Sequence, residues 1–160
     1  MRMTWMIILS GIFISLLTIP GMAQPAQAAL PPLSSEELKQ EARYVVVGNV
    51  QSVRHKEVKT DLGSDRHYVA VVKVVSVEKG LLRSSNPLKA PRAKPGVPTP
   101  GAQIQVRYWQ AGKRPGAWVG PGGQYSGLSR DTEVRLFLKV DEQGRLHLLE
   151  PNGSEILSPK

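Results

Sequence analysis

Hydrophobic and polar residues alternate along several short segments of this chain, which is the pattern of half-buried β-strands. The alternation is clean in Gln103–Trp109 and again in Glu133–Asp141. It resumes in Arg145–Leu149 after a turn at Gly144. We therefore expect the last two segments to form a β-hairpin.

Two further strands are predicted by β-branched residues, which favour strand over helix. These are Tyr44–Val53 and His67–Val77, and we expect the charged stretch Arg54–Arg66 between them to be a loop. Gly48 interrupts the first strand, and a glycine inside a strand often marks a bulge or a bend. A last short strand is predicted at Glu155–Leu157.

A short helix is predicted ahead of these strands. Ser34 and Glu37 have the spacing of a capping box, and the helix should end near Ala42. The Pro-rich segment 81–101 cannot donate a continuous hydrogen-bond ladder, so we interpret it as a basic insertion that forms a mobile loop.

About five strands and one helix predict a mainly β domain. Strands of this number must bury two faces or close on themselves. We expect a small five-stranded, OB-like Greek-key barrel, with a small open β-sandwich as the alternative. The domain should span 34–157, after an extended leader at 29–33 and before a tail at 158–160.

The N-terminal segment 1–28 has the features of a secretory signal. Arg2 provides a positive start, Met6–Ile19 is an uncharged apolar run, and Ala26-Gln27-Ala28 is a small-x-small cleavage pattern. We expect cleavage near Ala28 and a periplasmic or extracellular mature chain. The alternative is a retained membrane anchor, although the run is shorter than the roughly 18–20 residues that span a bilayer.

The net charge and the cysteine content limit the classes of partner that we expect. The 160 residues carry a formal charge of +8, which becomes +7 when the signal is removed with its single basic residue. The absence of cysteine fits a bacterial envelope protein better than an animal secreted one. A basic envelope protein can meet an anionic polysaccharide or an acidic protein. We do not expect nucleic acid as a partner, or stable membrane insertion after cleavage.

Several segments together resemble a known family. A short acidic helix leads into an apolar strand over 36–50, a long strand ends in Lys-Gly at 74–80, and an apolar hairpin follows with Leu136-Phe137-Leu138 and Gly144-Arg145-Leu146. This pattern resembles the OB-fold barrel of tissue inhibitors of metalloproteinases and the netrin-like domain, over most of 34–150. The N-terminal cysteine pair through which the animal inhibitors bind the protease zinc is missing here, so that mechanism is not carried over.

No catalytic constellation is recognisable in the sequence. The three histidines, His55, His67 and His147, lack metal-ligand spacing. Gly122-Gly123-Gln124 matches a tripeptide of peptide-release factors, which we interpret as a coincidence, and we interpret Gly120-Pro121-Gly122-Gly123 as a structural turn rather than a phosphate loop. With no cysteine and no G-x-S-x-G elbow, we expect no enzyme activity, no metal and no cofactor.

One basic and aromatic constellation remains as a candidate binding surface. Aromatic planes beside cations suit sugar rings or a protein hot spot. The candidates are Arg107, Trp109, Lys113, Arg114, Trp118 and Tyr125, with Lys89, Arg92 and Lys94 from the Pro-rich insertion. The alternative is that Tyr108 and one tryptophan fill the core.

The sequence thus favours an exported, non-enzymatic binding module for an anionic glycan or a protein of the envelope. The alternative function is an inhibitor or accessory subunit of an envelope protease.

Overall fold

The computed structural model describes residues 31–80, 97–114 and 120–159. These residues contain six strands and one short helix. The elements are α1 (Ser35–Glu41), β1 (Tyr44–Thr60), β2 (Gly63–Lys79), β3 (Gln103–Ala111), β4 (Thr132–Val140), β5 (Leu146–Leu148) and β6 (Ser154–Pro159). The fold is mainly β, as predicted. The predicted signal and most of the Pro-rich insertion lie outside the described residues.

Five of the strands close into a ring within one sheet. Hydrogen-bonded neighbours follow the order β1-β2-β3-β5-β4, and β4 returns to pair with β1. The β3–β5 pair is parallel and the other pairs of the ring are antiparallel. β6 extends the sheet beyond β4. Closure of a single sheet confirms the predicted five-stranded, OB-like arrangement and does not fit the alternative of an open sandwich.

Gly48 lies where β1 pairs with β2 on one side and with β4 on the other. The β1–β2 register shifts between Val47 and Gly48, so the bulge predicted at this glycine is present. A Cβ atom at this position would lie only 2.6 Å from Cγ1 of Val72 on the facing strand. Any side chain there would therefore push the two strands apart.

The interior of the ring is a continuous apolar core. Its members alternate along the strands, as the predicted faces require. The largest contributions come from side chains that are almost fully buried: Val46, Val50, Val72, Val74, Val106, Val134, Leu136, Leu138 and Leu148. Tyr108 joins this core, and its ring stacks on Tyr68 with centroids 4.7 Å apart.

Helix α1 begins where the sequence predicts and packs against the outside of the ring. The capping box is complete, because the Ser34 hydroxyl accepts from the Glu37 N–H and the Glu37 carboxylate accepts from the Ser34 N–H. Leu38 packs with Phe137 and Leu149 in a second apolar cluster on the outer surface. Phe137 points away from the core of the ring and is nevertheless fully buried, because α1 covers it.

The prediction of a charged loop at 54–66 is wrong. β1 and β2 continue through it as a ribbon that turns only at Asp61 and Leu62. The far half of β2 is also paired with β3, out to Asp65 opposite Ala111. Because both strands form backbone hydrogen bonds, their charged side chains can project into solvent without ending the strands.

The remaining predicted elements are present with shifted ends. β4 and β5 form the predicted hairpin, and the predicted last strand runs over Ser154–Pro159. The end of β4 differs from the pattern, because Val140 is 40% exposed. Within the described ranges, no helix has the length and apolar character needed to cross a bilayer.

Candidate ligand-binding groove

A row of basic residues crosses the outer face of the ring from strand to strand. Arg54 on β1 pairs with Val69 on β2, Val69 pairs with Arg107 on β3, and Arg107 pairs with His147 on β5. Paired residues in neighbouring strands project from the same face of a sheet and lie about 5 Å apart. The register therefore brings together cations that are far apart in the sequence.

A second row lies beside the first. Lys56 on β1 pairs with His67 on β2, and His67 pairs with Trp109 on β3. Lys56 and His67 are exposed, whereas Trp109 is half-buried. The two rows place an indole on one surface with five basic side chains, two of them histidines.

Three adjoining clefts follow these rows across the strands. Their volumes are about 330, 360 and 240 Å³, and Arg107 lines all three. We call the combined surface the basic groove and define it by the residues Arg54, Lys56, His67, Val69, Gln105, Arg107, Trp109, Arg145 and His147. The groove runs across the strands rather than along them, so it suits an extended ligand.

At the β5 end of the groove, one carboxylate balances the basic side chains. Asp141 Oδ2 accepts from Arg145 Nε at 2.6 Å and lies 3.0 Å from His147 Nε2. Its Oδ1 accepts from the Arg145 N–H at 2.8 Å. Partial desolvation acts to raise the pKa of Asp141, but the hydrogen bonds from Arg145 and His147 outweigh it and hold that pKa well below its ordinary value. Asp141 therefore remains an anion that orients Arg145 and His147.

At the β1–β3 end, the positive charge is not balanced. Within the described ranges, the cationic groups of Arg54, Lys56 and Arg107 have no carboxylate within 4.0 Å. Elsewhere on the surface Arg135 is held by both Glu78 and Glu155, at 3.1 and 2.9 Å. The groove therefore offers cations that an anionic ligand can contact without first breaking an ion pair.

The Gly-rich segment after β3 supports Trp109. The Gln124 N–H donates to the Trp109 carbonyl at 2.8 Å, and the Ala111 N–H donates to the Gly122 carbonyl at 2.8 Å. Gly123 has a φ of 70°, and a Cβ added there would lie 2.8 Å from Cδ2 of the indole. A glycine is therefore required for this turn to pack against Trp109.

Gln124 holds the same turn from inside the protein. Its side chain is only 3% exposed, and its Nε2 donates to the Leu149 carbonyl at 2.6 Å. Its Oε1 accepts from the Gly153 N–H at 3.1 Å. The Gly-Gly-Gln tripeptide is thus a structural turn whose glutamine amide is not presented to a ligand.

The residues predicted from the sequence to bind a ligand lie in different places in the structure. Arg107 and Trp109 lie in the basic groove, Lys113 is exposed just beyond β3, and Tyr125 is 51% exposed. Arg114 differs from the prediction, because its side chain is only 9% exposed and forms an ion pair with Asp65 at the end of the ribbon. The remaining nominated residues, Trp118, Lys89, Arg92 and Lys94, lie outside the described residues.

Sequence reasoning did not identify the five other basic residues of the groove. These are Arg54, Lys56, His67, Arg145 and His147. The first three were assigned to a loop or to its border, where side-chain direction has no fixed period. A strand prediction through 54–60 would have placed Arg54 and Lys56 on one face.

The groove has the chemistry of a binding surface. Among the described residues, no three histidine or acidic side chains are grouped so that they could hold a metal ion. The Asp141 carboxylate is occupied by Arg145 and His147, as described above. No protein-family model and no curated protein matches this chain. The geometry of the groove is therefore the basis on which a function can be proposed.

Proposed function

We propose that this protein is a non-enzymatic binding module that holds an anionic glycan across the basic groove. The observation that carries the proposal is the position of Arg107. It lines all three clefts and lies between Arg54 and His147 in one cross-strand row. A polymer lying across the strands would meet a cation on most strands that it passes.

Several features favour a glycan over a nucleic acid. Proteins that bind single-stranded nucleic acids stack successive bases on several aromatic side chains. Trp109 is the one tryptophan among the described residues of the groove, and the Tyr68 and Tyr108 rings stack on each other. A single indole next to cations suits one sugar ring flanked by carboxylate, sulfate or phosphate groups. The predicted export of the chain supports the same proposal.

The test is binding of dextran sulfate to the full chain, with neutral dextran of the same length as the control ligand. We expect binding to the sulfated polymer only, with an affinity that falls as salt screens the charges. Arg107→Gln should weaken binding about tenfold, the equivalent of roughly 1.4 kcal/mol. Isothermal titration calorimetry measures both effects.

Arg130→Gln is the matched control, because it removes the same charge from an exposed site that does not line the groove. We expect its affinity to stay within a factor of two of the original. Equal binding of neutral dextran, or equal losses in the two variants, would contradict the proposal. Tighter binding of a single-stranded oligonucleotide of equal charge would replace the glycan with a nucleic acid.

The second candidate function, an accessory subunit of an envelope protease, has one observation in its favour. The ribbon of β1 and β2 ends in two exposed apolar side chains, Val58 at 37% and Leu62 at 48% exposure. Apolar residues at the end of a projecting hairpin suit insertion into a protein cleft. Leu62→Asp should then abolish capture of the protease while leaving dextran sulfate binding unchanged.

A further inference from the structure

All three histidines of the chain lie on the strands that form the groove or on its border. His67 lines the two larger clefts, and His55 and His147 each line one of them. The His55 ring lies against Tyr68, with centroids 5.4 Å apart, on the opposite side of the ribbon from Lys56 and His67. An imidazole ordinarily gains its charge near pH 6.5, so these residues can change the charge of the surface at mild pH.

Most of the charged groups near His67 are cations, and Asp65, two residues earlier on the same face of β2, is paired with Arg114. Lys56 of β1 and Trp109 of β3 are its direct cross-strand neighbours. Arg54, Arg107 and Arg145 line the same clefts. Within the described ranges, no carboxylate lies within 4.0 Å of the His67 ring. A charge on His67 would therefore find its counter-charge in an anion placed in the groove.

His147 has a different environment. Its Nε2 lies 3.0 Å from the Asp141 carboxylate, which also pairs with Arg145. Arg107 and Lys139 face it from the neighbouring strands. The protein itself therefore places a carboxylate beside His147, whereas the described residues place none within 4.0 Å of His67.

We propose that His67 makes anion binding by the groove pH-dependent, by taking up a proton when the anionic polymer binds. This inference rests on the proposed function and adds its regulation. At pH 7.5 the neutral imidazole adds no charge to the groove. At pH 5.5 it adds one cation between Lys56 and Arg107, so the groove binds more tightly. Linkage requires the reciprocal effect, in which the bound polymer favours protonation of His67.

The experiment measures the affinity of the full chain for dextran sulfate at pH 7.5 and 5.5 at constant ionic strength. Sulfate esters stay charged at both values, so the probe itself does not titrate. We expect about fivefold tighter binding at pH 5.5, which is within the tenfold per pH unit that one coupled proton allows. Proton uptake on binding, measured by calorimetry in buffers of different ionisation enthalpy, should accompany the change.

Three variants identify the group that titrates. His67→Gln should bind like the original chain at pH 7.5 and lose the gain at pH 5.5. His67→Lys should bind tightly at both pH values. His55→Gln is the comparison variant. His55 also lines the 330 Å³ cleft, but its ring lies against Tyr68, so this variant should keep the full gain.

The inference is overturned if the affinity of the original chain does not change with pH, or if His67→Gln keeps the gain. Failure of the proposed function is distinguishable. Binding that is absent at both pH values, or that is insensitive to Arg107→Gln, contradicts the function and the inference together. Binding that depends on Arg107 but not on pH contradicts the inference alone.

Discussion

The ring has two outward faces of opposite character. On one, which we call the covered face, Val45, Phe137 and Leu149 project outward, and helix α1 buries them with Leu38. On the other, the basic groove, Arg54, Arg107 and Trp109 project outward, and no described element lies over them. The same sheet therefore buries its outward side chains under a helix at one place and presents basic and aromatic side chains at another.

The comparison teaches that the residue types decide which face becomes covered. Apolar outward residues gain free energy when water is removed from them, so a helix with Leu38 on its inner side is stable there. Arginine and lysine would lose hydration under such a cover. Each face can therefore be altered with little effect on the other.

The largest effect is expected from Phe137→Ala on the covered face. This ring is fully buried between α1 and the sheet, and its removal leaves a cavity. We expect a loss of about 3–5 kcal/mol of unfolding free energy, measured by urea denaturation. If the protein remains folded, dextran sulfate binding should be unchanged. Reduced binding by a folded variant would show that the two faces are coupled.

A smaller loss is expected from Gly123→Ala, which acts on the turn beneath the groove. The new methyl group would meet the Trp109 indole, and the φ of 70° disfavours alanine. We expect a cost of about 1–3 kcal/mol and weaker dextran sulfate binding, because Trp109 must move. Gly101→Ala also places alanine at a positive φ, 81°, but has nothing within 4 Å and does not line the groove. It is the control for backbone strain without displacement of Trp109.

Trp109→Ala is the counterpart of Phe137→Ala on the open face. The indole is half-buried, so we expect a loss of about 1–2 kcal/mol, clearly below that of Phe137. Affinity for dextran sulfate should fall about tenfold, by loss of a sugar-stacking surface. A stability loss equal to that of Phe137→Ala with unchanged affinity would show that Trp109 belongs to the core.

The smallest effects concern the cap of α1. Ser34→Ala should cost about 1 kcal/mol, because the Glu37 N–H loses its acceptor. Hydrogen bonds from the Ser34 backbone and then from its hydroxyl lower the pKa of Glu37. A lowered folded-state pKa means that this contribution is present above about pH 4.5 and is lost as pH falls through the folded value.

Glu37→Gln tests the pH dependence of this cap. It should flatten the acid side of the stability profile, measured by urea unfolding between pH 7 and pH 3. An unchanged profile would mean that Glu37 does not titrate differently in the folded state. Glu36→Gln on the same turn is the control, and it should leave the profile as it is.

Local patterns were sufficient to predict most of the fold. The capping box at Ser34, the alternation in 103–109 and the hairpin ending at Leu148 depend on neighbouring residues, and each is present in the structure. The ribbon of β1 and β2 was not predicted, because its charged residues resemble a loop when the pairing partner is unknown. Phe137 was not predicted as buried, because its cover comes from a helix about 100 residues earlier.

The candidate site was predicted only in part for a similar reason. Arg107 and Trp109 belong to a visibly alternating strand, so their outward direction could be inferred. Arg54, His67 and His147 join them only through the register of three other strands. The ion pair of Arg114 could not be predicted, because its partner Asp65 is 49 residues away in the chain.

The parallel contact between β3 and β5 has a consequence for the kinetics of the ring. It consists of two paired positions, Val106 with Leu146 and Arg107 with His147, and is the shortest contact in the ring. A seam this short, between strands distant in sequence, should close late in folding. It should also open first in the native state, so its amide protons should exchange early. A polymer bound to both Arg107 and His147 would bridge the seam and slow that exchange.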